Sequence, residues 1–444
     1  MSATSRMQKA APTTAKAARN TKAAARTVST AAETVSAPRR DLDPAAMATT
    51  DALETAPPIQ TKVLEVDPNW ITFSAPSAVR NGAAQDPLAH LNAVPTITDP
   101  RGITALQEAT RWLTVEQQVI GLPTETVYGL AGDARSSVAV SRIFAAKRRP
   151  SDNPLIVHVA SLTMLEDLVG EAAITPVHRR VMAAYWPGPL TLLFPIRAGV
   201  LPPTVTAGQS TVAVRFPAHP VARALIAVSG CPLAAPSANA SGRPSPTLAS
   251  HVVRDLEGRI PLVLDAGQCA CGLESTVLSV EDVARPVVLR PGGVTVEQLA
   301  VTLGVDVACH SGHVADAATP AAPGMKYRHY SPRARVIVVE NSTPAAVKAV
   351  CGRYKRVGVL RTVSPVAVPG TVDFDARADP AQELFRALRW LDDQGVEAIV
   401  VEGMADAHVG RAFMNRVRKA ASEIMDARAV TWAAVVSSTS SSTR

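Results

Sequence analysis

Residues 121–160, GLPTETVYGLAGDARSSVAVSRIFAAKRRPSDNPLIVHVA, pass from a strand pattern to a helical one and back, and this limits the fold more tightly than any other stretch. Residues 118–122 are a short apolar run that Pro123 stops, because proline cannot donate to a sheet ladder. Ser136 or Ser137 can cap a helix whose apolar side is Val140, Ile143 and Phe144. Pro150 ends that helix, since the residue before a proline is pushed out of the α region. Residues 155–159 then read as a buried strand with Ile156 and His158 on one face. The spacing predicts a βαβ-like frame and an α/β fold.

The frame carries polar groups at its turns. Thr124, Glu125 and Thr126 follow the first strand, at the carboxyl end where α/β sheets bind ligands. Lys147, Arg148 and Arg149 close the helix, and Ser151, Asn153 and His158 lead into the next strand. Lys147 falls one turn past Ile143, which lays its stem on the apolar face and projects its ammonium from the helix end. Cations there also complement the helix dipole without any ligand. Their combination with Asn153, His158 and the hydroxyls points to an anion site.

Later segments add to it. In TVAVRFP, Thr211, Ala213 and Arg215 share a face. An arginine in an apolar strand is costly unless it meets an anion, so Arg215 is either a structural ion pair or a ligand contact. Residues 233–247, LAAPSANASGRPSPT, form a loop of small residues, including Ala235, Ser237, Asn239 and Ser245, that lets backbone amides approach a phosphate or purine. Glu274, Ser275 and Thr276 precede a strand at 277–280; Arg290 ends another, and Gly292-Gly293 make a turn. Lys147, Arg149, Arg215 and Arg290 thus face only Glu125 and Glu274, with no nucleophile elbow, Ser-His-Asp order or Walker loop. Such a pocket clamps anions and aligns reactants, as phosphoryl and nucleotidyl transfers require.

The 444 residues suffice for two or three domains. The formal charge of +7 comes from residues 1–40, where Glu33 is the single acid among eight Lys and Arg, so a basic fold is not implied. Residues 1–95 are rich in Ala, Thr, Ser and Pro and read as a disordered extension, either a transit peptide or a basic tail without an address. The odd, scattered set Cys231, Cys269, Cys271, Cys309 and Cys351 argues for a reducing compartment. Cys269 and Cys271 with Cys309, His310 and His313 lack zinc spacing, so no metal site is expected. No apolar run approaches the roughly 20 residues of a membrane span. The reading is a soluble, cytoplasmic protein, or an organellar one if the extension acts as an address.

Lys147-x-Arg149 followed by Ser151-x-Asn153, with PSANASG, ESTV and RPG further on, resembles the YrdC-like family. Ala266 departs from it, standing where the family commonly has glycine. Residues 321–332, AAPGMKYRHYSP, resemble the interdomain linker of the longer, two-domain threonylcarbamoyl-AMP synthases. The resemblance implies a catalytic domain with a twisted α+β sheet at 96–320, a linker or lid at 321–334 and a smaller Rossmann-like α/β domain at 335–434. In the last, strands are expected at 336–339, 356–360 and 397–401, with helices from 344, over 380–391 and within 410–424, before a flexible tail at 435–444. It lacks the dinucleotide fingerprint.

The activity implied is synthesis of threonylcarbamoyl-AMP and pyrophosphate from L-threonine, bicarbonate and ATP, for modification of tRNA next to the anticodon by a downstream transferase. Carried over by position, Thr126, His158, Arg215 and Ser275 hold threonine, and Lys147, Arg149, Asn153, Thr211, Ala235, Ser237, Asn239, Ser245, Arg290 and Tyr330 hold ATP. Lys147 and Arg149 are the catalytic pair. Mg²⁺ is expected to arrive on the triphosphate without a protein cage. The alternative is a non-catalytic RNA-binding module, against which the scarcity of aromatics, 4%, counts. YrdC-like units in hydrogenase-maturation proteins come with zinc-finger and acylphosphatase-like segments, which are absent here.

Overall fold

A computed structural model describes residues 59–74, 86–310 and 329–428 of the chain. The expected tail, most of the expected linker and His313 lie outside the described residues. Helix Ser137–Lys147 is capped by the Ser136 side chain, which accepts from the Ala139 amide. It ends on Arg148 in a left-handed conformation, and the amides of Arg148 and Arg149 return to the carbonyls of Ala145 and Phe144. The strand before it, Ile120–Leu122, does not run straight into the helix. It first turns back through Gly129–Asp133 in an antiparallel pair. The βαβ-like frame is therefore corrected to ββαβ.

These strands lie in an eleven-stranded mixed sheet. From one edge it runs Lys62–Glu65, Leu262–Asp265, Ile120–Leu122, Gly129–Asp133, Leu233–Ala234 and Ile156–His158. It continues through Thr211–Arg215, Leu190–Pro195, Thr276–Ser279 and Val287–Arg290 to Ala308–Cys309. The first of these strands corrects the expected extension over 1–95, because Lys62–Glu65 pairs in parallel with Leu262–Asp265. Ile71–Ser74 and Val94–Ile97 likewise form an antiparallel pair, and Val66, Ile71, Leu88 and Leu91 enter the main core.

The central strands have two different faces. Val157, Val214, Leu192 and Leu278 point into the main core. Ile156, Ala213, Leu193 and Val277 form a small separate cluster on the other face. Period-two alternation puts His158, Arg215 and Thr191 on that second face too.

The remaining strands form a five-stranded parallel sheet in the order Val372–Asp375, Val357–Arg361, Ala398–Glu402, Arg335–Glu340 and Glu423–Asp426. Helices Pro380–Asp393 and Val409–Ala420 cover one face and Pro344–Cys351 the other. This is the expected Rossmann-like layering. Two short, charged edge strands, VDFD and EIMD, had no counterpart in the expectation. Among the described residues no helix is long and apolar enough to cross a membrane.

Candidate active site

The floor of the site is a row of side chains across neighbouring strands. His158 stands beside Arg215 in a parallel pair, and Arg215 beside Thr191 in an antiparallel one. Thr191 pairs with Val277, and Val277 with Arg290. The strand order therefore brings residues far apart in sequence to one level of one face. The turn after Ile120–Leu122 supplies a wall. There Thr124 Oγ1 accepts from the amides of Thr126 and Val127 and donates to the Val127 carbonyl at 2.6 Å.

Arg215 makes the structural ion pair that was one of its two alternatives. It pairs with Glu125 at 2.6 Å and donates to Thr126 Oγ1 at 2.8 Å, while still lining the cavity. Burial alone would raise the Glu125 carboxyl, but the Arg215 charge and the hydrogen bonds from Arg215 and backbone amides together leave its pKa below the ordinary value. His158 is neutral, since burial and then the Arg215 charge lower its pKa to about 3. On the far side, Arg290 donates to the carbonyl and hydroxyl of Ser275, whose Oγ also bonds Thr191 at 2.8 Å.

Lys147, whose stem was expected on the apolar face with its ammonium projecting from the helix end, is enclosed along its whole length. It is buried, and its ammonium donates to the carbonyls of Ser237 and Asn239, so it fastens the small-residue loop from beneath. Burial, with the charge of Arg149, holds its pKa well below the usual lysine range. Within that loop Ser237 Oγ donates to Asn239 Oδ1 at 2.5 Å, and the Asn239 amide donates to the carbonyls of Ala240 and Arg243. Ser245 Oγ donates to Glu274 at 2.6 Å.

A cavity of about 60 Å³ collects Thr126, Arg149, His158, Arg215, Ala235, Ser237, Asn239, Ser275, Arg290 and Tyr330 from the sequence-predicted set. Asn153 is buried nearby, and its Oδ1 has no hydrogen-bond partner among the described residues. Lys147 and Ser245 lie behind the lining, and Thr211, at the start of its strand, is not among the lining residues. Tyr330 closes the cavity, its ring 5.1 Å from that of Phe385, and the following amide, of Ser331, donates to Gly242. Burial and then Glu274 push the Tyr330 phenol to about 12.

Sequence reasoning missed the lining residues Val127, Pro236 and His329, and also Arg416, which pairs with Glu274 at 2.9 Å from behind. A signal existed for Arg416. It falls three residues after Phe413 and four before Ala420, on the apolar stripe of its helix. Among the described residues no cluster of His, Cys, Asp and Glu is arranged to hold a metal.

Two family models match the chain. One, described as telomere recombination, covers residues 114–292, and the other, described as threonylcarbamoyl-AMP synthase, C-terminal domain, covers residues 294–422. A threonylcarbamoyl-AMP synthase of Schizosaccharomyces pombe is 40% identical over 412 residues, spanning 83% of this chain and 99% of its own length. The chain belongs to the threonylcarbamoyl-AMP synthase family. A Bacillus subtilis member is 46% identical over 316 residues, covering 69% of this chain and 90% of that protein. The crystal structure of Pyrococcus abyssi Sua5 complexed with L-threonine matches with a TM-score of 0.68 and 36% identity, over 82% of this chain and 99% of that one. Membership in the threonylcarbamoyl-AMP synthase family makes the chain a nucleotidyltransferase-type enzyme, in place of the RNA-binding module considered from sequence.

Proposed function

We propose that the chain joins L-threonine, bicarbonate and ATP into threonylcarbamoyl-AMP, releasing pyrophosphate, and that a transferase then uses the product on tRNA. The observation that carries this reading is the meeting of Arg149, Arg215 and Arg290 with hydroxyl and amide side chains on one cavity, because every reactant carries an anionic group. Arg215 grips the threonine carboxylate as a planar fork, with Thr126, neutral His158 and Ser275 around it. Arg149, Arg290, Asn153 and the loop from Ala235 to Ser245 hold ATP, with Lys147 keeping the loop in shape and Thr211 at the outer edge.

The threonine amine adds to bicarbonate with loss of water, giving an N-carboxy anion. Its carboxylate oxygen then bonds the α-phosphorus as the bond to the pyrophosphate oxygen breaks. Clamped charge and alignment drive the step. Glu274, the acid among the lining residues, is engaged by Ser245 and Arg416. A magnesium ion therefore fits on the triphosphate's own oxygens and water, where it would neutralise charge. Tyr330, which lines the cavity, closes over the nucleotide and excludes water from the adenylate.

The test supplies threonine, labelled bicarbonate and ATP, and measures pyrophosphate and label in an AMP conjugate. Lys147→Ala and Arg215→Ala should each lower turnover dependent on both threonine and bicarbonate by roughly 10- to 150-fold, the worth of one charge-assisted contact. Near-normal turnover in either variant refutes the assignment.

A further inference from the structure

Two helices packed on the five-stranded sheet each carry a buried arginine that engages the loop of Ser237, Asn239 and Ser245, Arg389 directly and Arg416 through Glu274. Arg416, on Val409–Ala420, is 0% exposed. Its Nε meets one oxygen of Glu274 at 2.9 Å, while Ser245 donates to the other at 2.6 Å. Its Nη1 donates to the Pro291 carbonyl at 2.6 Å, next to Arg290. Arg389, on Pro380–Asp393, is 1% exposed and donates directly to the Pro244 carbonyl at 2.5 Å. It also forks onto Asp255 at 2.7 and 3.2 Å, and Asp255 in turn accepts from the Ala240 amide at 3.3 Å. The loop is thus held at Ala240, Pro244 and Ser245 through two guanidinium groups that belong to the other sheet.

Stability alone does not call for this arrangement. Burying a guanidinium is expensive, and well-packed apolar side chains of similar volume often serve a seam as well or better. Arginine forks do supply direction, fixing oxygens in a plane. Arg416 also keeps Glu274 occupied. Burial would raise that carboxyl, yet Arg416 and then Arg290 hold it ionised below the ordinary range. Without Arg416, the stranded carboxylate would turn to Arg290 and take a cation from the cavity.

We propose that Arg389 and Arg416 are positioning residues for the nucleotide loop, so that the small-sheet region completes the ATP side of the site without touching the reactants. This rests on the assignment of that loop to ATP made above. A merely structural pair would weaken the protein and both ligands alike, whereas positioning residues act on one ligand.

The experiment uses the full chain with Arg389→Lys, Arg416→Lys and Arg416→Ala, and titrates a nonhydrolysable ATP analogue and L-threonine separately by calorimetry. Each variant should bind the analogue about tenfold or more weakly, with threonine affinity changed less than twofold. Adding Glu274→Gln to Arg416→Ala should recover part of the analogue affinity by removing the stranded charge. Unchanged analogue binding, or equal losses for both ligands, overturns the proposal. So does failure of the lysine variants to fold, since that would make the arginines structural. A wild-type protein that binds the analogue yet makes no threonylcarbamoyl-AMP would sink the reaction assigned above, and the variants would still decide this proposal.

Discussion

His158 and Arg215 are neighbours across a parallel strand pair, and burial together with that neighbour keeps the imidazole neutral down to a pKa of about 3. An unfolded chain takes up the His158 proton near 6.5, where the folded chain does not. Stability from this group is therefore whole above pH 6.5 and is lost as pH falls toward 3, with a slope of about 1.4 kcal/mol per pH unit for one proton. His251 and His329, also near 3, and His219, near 4, add to the same loss. His158→Gln should flatten the fall of the urea midpoint between pH 6 and pH 4 relative to wild type. Equal slopes would place the neutral imidazole elsewhere. The pairing that sets this charge was half legible in the sequence. The period of TVAVR put Arg215 on a face, but its partner Glu125 stands on a turn far away in the chain, and no local rule links them.

At the scale of elements, the turn that follows Val287–Arg290 is controlled by an absence. Gly292 and Gly293 read from sequence as a turn, and neither has a positive φ. A β-carbon on Gly292 would collide with the backbone of Glu274, Ser275 and Thr276, so it is close approach that demands glycine there. Gly292→Ala should push Glu274 and Ser275 off their partners Ser245 and Arg290, lowering turnover by at least about tenfold while helix content stays unchanged by circular dichroism. Turnover within twofold of wild type would show that the segment yields. Other elements were legible in proportion to their local signal. Ser137–Lys147 and Pro380–Asp393 carry caps and apolar stripes and were readable within a residue or two. Gly129–Asp133, GLAGD, has neither β-branched residues nor alternation and is a strand only because Ile120–Leu122 and Leu233–Ala234 pair with it.

Across the whole molecule, the two sheets share buried material. Val127 of the turn, Leu273 just before the ESTV segment and Tyr330 of the connecting chain pack in the same apolar cluster as Phe385, Phe413 and Leu388. A charged pair crosses the same seam, Arg389 on Asp255 at 2.7 Å, while the exposed Arg333 meets Asp392 at 3.2 Å and ties the connecting chain to the helix Pro380–Asp393. A buried pair such as Arg389–Asp255 costs more to halve than to delete. Asp255→Ala alone strands the Arg389 guanidinium and should lower unfolding free energy by about 3–5 kcal/mol. Asp255→Ala combined with Arg389→Met removes both charges and should lose less than the two single changes together, by about 0.5–3 kcal/mol of coupling. Urea unfolding of the four proteins, followed by fluorescence and circular dichroism together, measures both quantities. Coincident transitions with that coupling mean that the two sheets unfold as one structure, and the loop over the cavity is then only as firm as the seam behind it. Additive losses, or two separated transitions, would mean instead that each sheet stands alone and that the arginine forks contribute nothing to their union.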